Sequence, residues 1–394
     1  MRAWLLLVPL LAAGQEVPAG AEILVRLTKP LSTQTARPGD PVEAVAIAPV
    51  IQDGLTVIAA GTRIRGSVEM ATPAAPDHRA VLLLSFGEAE GGGIRRAFTA
   101  RVAEVDNARE TVDEQGSIVG ILASDTLTGQ LDSELGTIKG QYGGLASILS
   151  AAKGAMFDQA SPEIVYPAGV ELTLRLTQPL VTAGTRTAEP PAWPAGERKK
   201  LDRIVSKQPI RATARENRKA SDLVNLLFVA SQDSLRRAFR DAGWSEAAGL
   251  SASSQVEVLR ALAEDRGYQE APVSVLWLDG KPPDLVFEKA NNTFARRHHV
   301  RIWRVRGSAG GTPLWAAAAT HDTGVDFSEA GHTFLHRIDP MIDREREKIV
   351  NDLLFAGRVT SLELLERPKA PRKTLNATGD PIETDARIAV VGIE

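Results

Sequence analysis

The sequence predicts two domains, an all-β barrel-like domain with a helical insertion and then an α+β domain with a mainly antiparallel sheet. Three observations lead there. Up to about Thr182, apolar residues alternate in short runs separated by turn residues. A Pro-Ala-Gly segment recurs at both ends of that region. Beyond a proline-rich stretch, helical stripes and strands follow one another. A chain of 394 residues also exceeds what one average core fills.

Composition removes several function classes. A formal net charge of −3 with 24% charged residues provides no global field for nucleic acid or a strongly acidic partner. There is no cysteine, so disulfides, thiolate nucleophiles, zinc ribbons and lipoprotein anchors are excluded. The start of the chain points to export. Met1 and Arg2 form a short positive region, Ala3 to Ala13 is almost wholly apolar, and Ala12, Ala13 and Gly14 are the small residues of a cleavage site. Residues 1–14 are therefore expected to be a signal peptide, because the apolar run is short of the about 20 residues that span a bilayer. No transmembrane span is expected in the mature chain.

The first domain is expected over 15–181. Ile23, Val25 and Leu27 alternate with Leu24, Arg26 and Thr28, and comparable runs lie at Pro41–Val50, Thr56–Ile58, Thr62–Val68, Ala80–Phe86 and Arg96–Val102. Pro38-Gly39-Asp40, Asp53-Gly54, Ala60-Gly61 and Gly91-Gly92-Gly93 mark the turns. The glycine run at Gly91 reads as a hairpin tip, because a phosphate cradle would need a following Lys-Ser/Thr and a helix. Pro18-Ala19-Gly20 leading to Arg26-Leu27-Thr28 recurs as Pro167-Ala168-Gly169 leading to Arg175-Leu176-Thr177. The two copies are expected to pair, since closing the sheet removes its edges. A helical insertion is expected at about 117–158, from the apolar spacing of Leu127–Leu135 and Leu145–Phe157. With Pro38 to Asp40 and Val57 to Gly66, the Pro18-Ala19-Gly20 strand resembles the barrels of the VirB/TrbI conjugation proteins. That resemblance implies an envelope barrel module carrying a helical insertion.

Residues 182–221 read as a linker and a basic helix. Thr182 to Pro194 is rich in Thr, Ala and Pro, and Leu201, Ile204 and Val205 lie at helical spacing among Arg198, Lys199, Lys200 and Arg203. The second domain is expected over 222–367, followed by a tail at 368–394. Leu226–Val229 reads as a strand. Ser231 then caps a helix with the stripe Leu235, Ala238, Phe239 and Ala242, stopped by Gly243. A second helix is expected at Ser254–Arg266, then strands at Val273–Leu278, Asp284–Glu288, His298–Val305 and Leu314–Thr320, with Asp279-Gly280 as a hairpin turn. Asp339-Pro340 predicts the N-cap of a last helix ending near Gly357, before a strand at Val359–Leu365. Gly243-Trp244, Arg297-His298-His299-Val300-Arg301-Ile302-Trp303, Ala318-Ala319-Thr320-His321-Asp322 and His336-Arg337-Ile338-Asp339-Pro340 resemble the LssY C-terminal domain family. Family members are often joined to membrane phosphatases, which implies an envelope setting; no such phosphatase signature is present here.

One constellation carries chemistry. Five of the six histidines fall between His298 and His336. On a strand, His299, Arg301 and Trp303 share one face, and His298, Val300 and Ile302 the other. His299, Arg301, His321, Asp322, His336 and Asp339 are the candidate site residues, and with the strands paired as a hairpin the first five are expected to converge at one end of the sheet. Histidine can move protons or bind metal, Asp can orient it, and Arg can hold a phosphate. In the competing reading these residues hydrogen-bond one another to pin a loop and a helix start. The function expected first is an exported cell-envelope protein acting as a non-catalytic binding or assembly module, with an envelope protein or lipid as partner. The alternative is a histidine- or metal-dependent phosphoester hydrolase using His299, His321 and His336. The sequence names no cofactor and no metal.

Overall fold

The computed structural model describes residues 15–75, 77–122, 162–182, 184–186, 191–214, 218–247, 276–289, 297–328 and 333–394. The expected signal peptide, the body of the helical insertion and the helix at Ser254–Arg266 lie outside these residues.

Six strands form a closed antiparallel barrel: β1 (Glu22–Leu27), β2 (Pro41–Ala46), β3 (Arg63–Thr72), β4 (Val81–Gly91), β5 (Ile94–Val105) and β6 (Glu171–Leu176). Each pairs with the next, and β6 pairs with β1, closing the ring. Alternate residues point inward, so Ile23, Val25, Leu27, Leu82, Leu84, Phe86, Leu172, Leu174 and Leu176 are buried in one core. Gly92 and Gly93, with φ of 57° and 76°, make the β4–β5 hairpin tip, a conformation that glycine adopts without steric cost. Gly66 has a different reason: a Cβ there would stand 2.1 Å from the Ser85 carbonyl oxygen, where β3 shifts register against β4.

The two repeat copies pair with each other about a local pseudo-twofold. Gly20 N donates to Leu176 O and Gly169 N to Leu27 O, both at 2.8 Å. Glu171 stands opposite Arg26, and Arg175 opposite Glu22. The flanks follow the same symmetry: Gln15–Val17 pairs with Leu180–Thr182, and Leu31–Ser32 pairs with Val165–Tyr166. Ser117–Val119, where the insertion was expected to begin, is instead a strand on β4, with Ile118 fully buried.

Within the stretch expected as linker and basic helix, Thr185–Arg186 pairs back onto Leu55–Thr56. Helix α1 (Ala195–Val205) buries Leu201 and Val205. A mixed sheet follows, made of β7 (Leu226–Val229), β8 (Trp244–Glu246), β9 (Leu285–Lys289), β10 (Arg297–Ala309), β11 (Thr312–Ser328), β12 (Thr333–Ile338), β13 (Val359–Glu366) and β14 (Arg387–Ile393). The order is β8-β9-β10-β11-β7-β14-β13, with β12 on the far part of β11. All pairs are antiparallel except β7 with β14. Helices α2 (Gln232–Asp241) and α3 (Ile342–Phe355) cover one face, where Phe239 meets Phe228, Trp244 and Phe287 at centroid distances of 5.6, 5.8 and 4.5 Å. The Ser231 hydroxyl caps α2 by accepting from Ser234 N at 3.0 Å. The other face, with Trp303, Ala316, Ala318 and Val390, packs on α1 and a small three-stranded sheet.

Three expectations are corrected. Residues 368–394, read as a tail, contain β14, which lies inside the sheet between β7 and β13 and is buried on both faces, as a parallel-paired strand must be. Asp279-Gly280 does make a tight turn, with φ of 49° and 75°. The chain then divides: Leu276–Trp277 pairs with Arg211–Ala214, whereas β9 joins the large sheet. Helix α3 starts at Ile342 behind Met341, and Asp339 Oδ1 accepts from Met341 N at 2.8 Å, so Asp339 makes a turn before the helix and does not cap it.

Candidate functional site

Strand β10 carries Arg297 to Arg301 between two faces. Its register against β11 sets His298 opposite His321 and His299 opposite Thr320, and residues paired directly across a sheet share a face. Arg297, His299, Arg301, Thr320 and Asp322 therefore lie on one face, and His298 and His321 on the other.

On the first face Arg301 Nη1 donates to Asp222 Oδ2 at 3.0 Å, and His299 Nε2 lies 2.8 Å from Thr320 Oγ1. Asp322 stands 3.6 Å from His299 Nδ1 and 3.5 Å from Arg297 Nη2. All are buried. Burial pushes the Asp322 carboxyl up to about 7, against the pull of Arg297 and Arg301.

The second face meets the barrel. His298 Nδ1 is 2.6 Å from Glu345 Oε2 on α3, and its Nε2 is 2.9 Å from Asp106 Oδ1, just beyond β5. Burial alone would lower the His298 pKa, but carboxylates on both ring nitrogens outweigh it and push it up to about 10. His321 stacks on His298 at 4.0 Å between ring centroids, and its Nε2 lies 2.8 Å from Asn107 Oδ1. Donor atoms of Asp106, His298 and His321 all lie within 4.8 Å of one another. Glu345, Lys348 and Asp352, spaced three and four apart, form one row along α3. Lys348 Nζ lies 3.6 Å from Asp106 Oδ2 and pairs with Glu171 of β6. Glu171 also meets Arg26 at 2.7 Å and Lys289 at 3.1 Å, and Lys289 donates to Asp352 at 2.8 Å. A continuous charged network thus joins barrel and sheet.

His336 on β12 pairs in register with Val325 on β11, and Asp339 N donates to His321 O at 2.8 Å. The expected grouping therefore divides. His299, Arg301 and Asp322 come together, while His321 lies across the sheet with His298. Residues 205–388 match the LssY C-terminus family. The expected segment from Asp222 to Arg367 falls inside that match, which reaches into β14. His298, His321, Glu345, Lys348 and Asp352 all belong to the LssY C-terminus segment, whereas Arg26, Asp106, Asn107 and Glu171 come from the barrel. No curated protein matches the chain. The chain is similar to ComB10 of the Com type IV secretion system of Helicobacter pylori, with 11% identity over 42% of this chain and 90% of that chain. The TM-score of that match is 0.24.

Sequence reasoning missed the partners of His298. Asp106 and Asn107 follow a strand and resemble any turn. Arg26 and Glu171 sit in the repeat, where Glu22 and Arg175 form the equivalent pair at 3.0 Å in solvent. The one signal available was the helical spacing of Glu345, Lys348 and Asp352, which puts three charges in one row on a helix that must also pack its apolar side.

This network fixes a pH dependence. Burial would raise the Glu171 pKa, but Lys348 and Lys289, with Arg26, hold it well below the usual carboxylate range. A depressed folded pKa gives stability that is present above the unfolded value of about 4.3 and lost as pH falls towards the folded one. The stability difference between the unaltered protein and Glu171→Gln is therefore expected to shrink steadily below about pH 4. Urea unfolding of both proteins at a series of acid pH values checks this; a difference that stays constant with pH would remove Glu171 from the network.

Proposed function

We propose that the chain is an exported cell-envelope protein that acts as a non-catalytic binding or assembly module, with the barrel and the LssY C-terminus segment working as one unit. The observation that carries this reading is the burial of the histidines among protein partners. His298 is held between Asp106 and Glu345, His299 between Thr320 and Asp322, and both are nearly inaccessible. Hydrolysis of a phosphoester needs such groups to face substrate in a cleft. Charge pairs across the seam instead suit a module that presents a fixed surface to an envelope protein or lipid. Among the described residues no helix is long and apolar enough to cross a membrane. The apolar start of the sequence, with its small-residue site, supports export.

The test has two arms. A panel of phosphoesters is offered to the purified chain with and without Zn2+, Mn2+ and Mg2+, beside His321→Ala. The expected result is no turnover that depends on His321, together with a stability loss of about 1–3 kcal/mol from its unsatisfied partners. Turnover abolished by His321→Ala with the unfolding midpoint unchanged would establish the hydrolase instead. Mass spectrometry of the envelope fraction is expected to find residues 1–14 removed, and Met1 still attached would overturn cleavage.

A further inference from the structure

The seam gathers metal-ligating chemistry from two separate parts of the fold. Asp106 and Asn107 arrive from the barrel, on a loop where Asn107 takes φ of 57° and so turns both side chains towards β10 and β11. His298 and His321 arrive from adjacent strands with stacked rings. A carboxylate and two imidazoles, from Asp106, His298 and His321, offer donors to one small volume, and the Asn107 amide oxygen lies 2.8 Å from His321 Nε2 at its side. The donor set suits a borderline divalent ion of the zinc class better than magnesium or calcium, which favour all-oxygen shells.

We infer that Asp106, Asn107, His298 and His321 bind one Zn2+-class ion across this seam, as a clamp between the barrel and the LssY C-terminus segment. Zinc holds its nitrogen and oxygen ligands at about 2.0–2.2 Å in a tetrahedron, so neighbouring donors stand about 3.4 Å apart. The three donors within 4.8 Å close on the ion with shifts of up to about 0.8 Å each. Glu345 is the outer partner such a site requires: its Oε2 holds His298 Nδ1 at 2.6 Å and aims Nε2 inward. Four protein donors leave no open position, which marks a structural site. Asp106 and His321 are only partly buried, which gives the ion a way in. The ion takes the place of the Nε2 protons that His298 and His321 direct at Asp106 and Asn107; the His298 proton leaves to solvent, and neutral His321 then carries its proton on Nδ1. Lys348 approaches the other Asp106 oxygen, Oδ2, and leaves Oδ1 for the ion.

The inference goes beyond the function proposed above, and the two fail separately: Zn2+ uptake without turnover leaves that reading intact. The test is calorimetric titration of the chelator-treated full chain with Zn2+, beside Asp106→Asn, His321→Gln and Glu345→Gln. One Zn2+ per chain is expected, with affinity lowered at least about tenfold by each variant. The unfolding midpoint of the unaltered protein should rise with Zn2+ more than that of any of the three variants. Absence of uptake by the unaltered protein, or equal uptake by folded Asp106→Asn and His321→Gln, overturns the site. If a variant does not fold, Co2+ in the unaltered protein decides: ring protons of His298 and His321 should shift, and unshifted rings overturn the proposal.

Discussion

Replacing Glu171 by glutamine is expected to lower the unfolding free energy by about 3 kcal/mol, because buried Lys289 and part-buried Lys348 then lose their shared carboxylate. The repeat supplies an internal control. Glu22→Gln removes the symmetry-equivalent carboxylate from Arg175, but that pair is more than half exposed, and its loss should cost less than about 1 kcal/mol. The same strand pairing, β1 with β6, thus holds one Arg–Glu pair in solvent and one under α3. Chemical denaturation of both variants measures the difference. Equal effects would mean that the seam contributes no more than a surface ion pair. A double variant, Glu171→Gln with Lys348→Met, should lose less than the sum of its parts, since each removes the other's partner.

Phe239→Ala is expected to cost about 3–5 kcal/mol, the range for emptying a fully buried aromatic site. Phe239 is fully buried, lies flat on Phe287 and meets Phe228 and Trp244 edge to face, so truncation strips one ring from three neighbours. The Trp244 ring also lies under Lys289, and its Nε1 donates to Asp352 at 3.0 Å, which links this aromatic cluster to the charged seam. Tryptophan fluorescence and urea unfolding of the variant check the value. A loss under about 1 kcal/mol would show that the cluster collapses into the space.

How far the fold could be read depended on whether a signal was local. Ile23, Val25 and Leu27 alternate, and the barrel strands they announce are present. The pairing of the repeats followed from the need to protect edges. Ser231 and Gly243 bounded α2 by cap chemistry contained within a few residues. Where the outcome depended on a distant partner, the sequence was silent. Nothing in Ile388 to Ile393 says that it inserts beside β7, because a parallel strand needs a neighbour far away in the chain. Asp279-Gly280 fixed a turn but not the sheets its arms would join. For the site, alternation along β10 correctly separated His299 from His298. Which of them would meet His321 hinged on the β10–β11 register, and a shift of one residue exchanges the faces. Asp106 and Glu171 could not be found as partners, since no local pattern distinguishes a carboxylate that will be covered by another part of the fold.

The position of β14 has a consequence for how the molecule is made. Leu226 pairs with Ala389, so the sheet cannot gain the strand between β7 and β13 until the chain has been synthesised almost to Glu394. While the earlier strands emerge, β7 keeps an open flank, and closing so long a loop is slow. The barrel needs nothing beyond β6 to complete its ring and can form first. An order of events follows in which a finished barrel waits beside an unfinished sheet. Delivery of the last strand then completes the sheet that carries His298, Glu345 and Lys348 to the barrel.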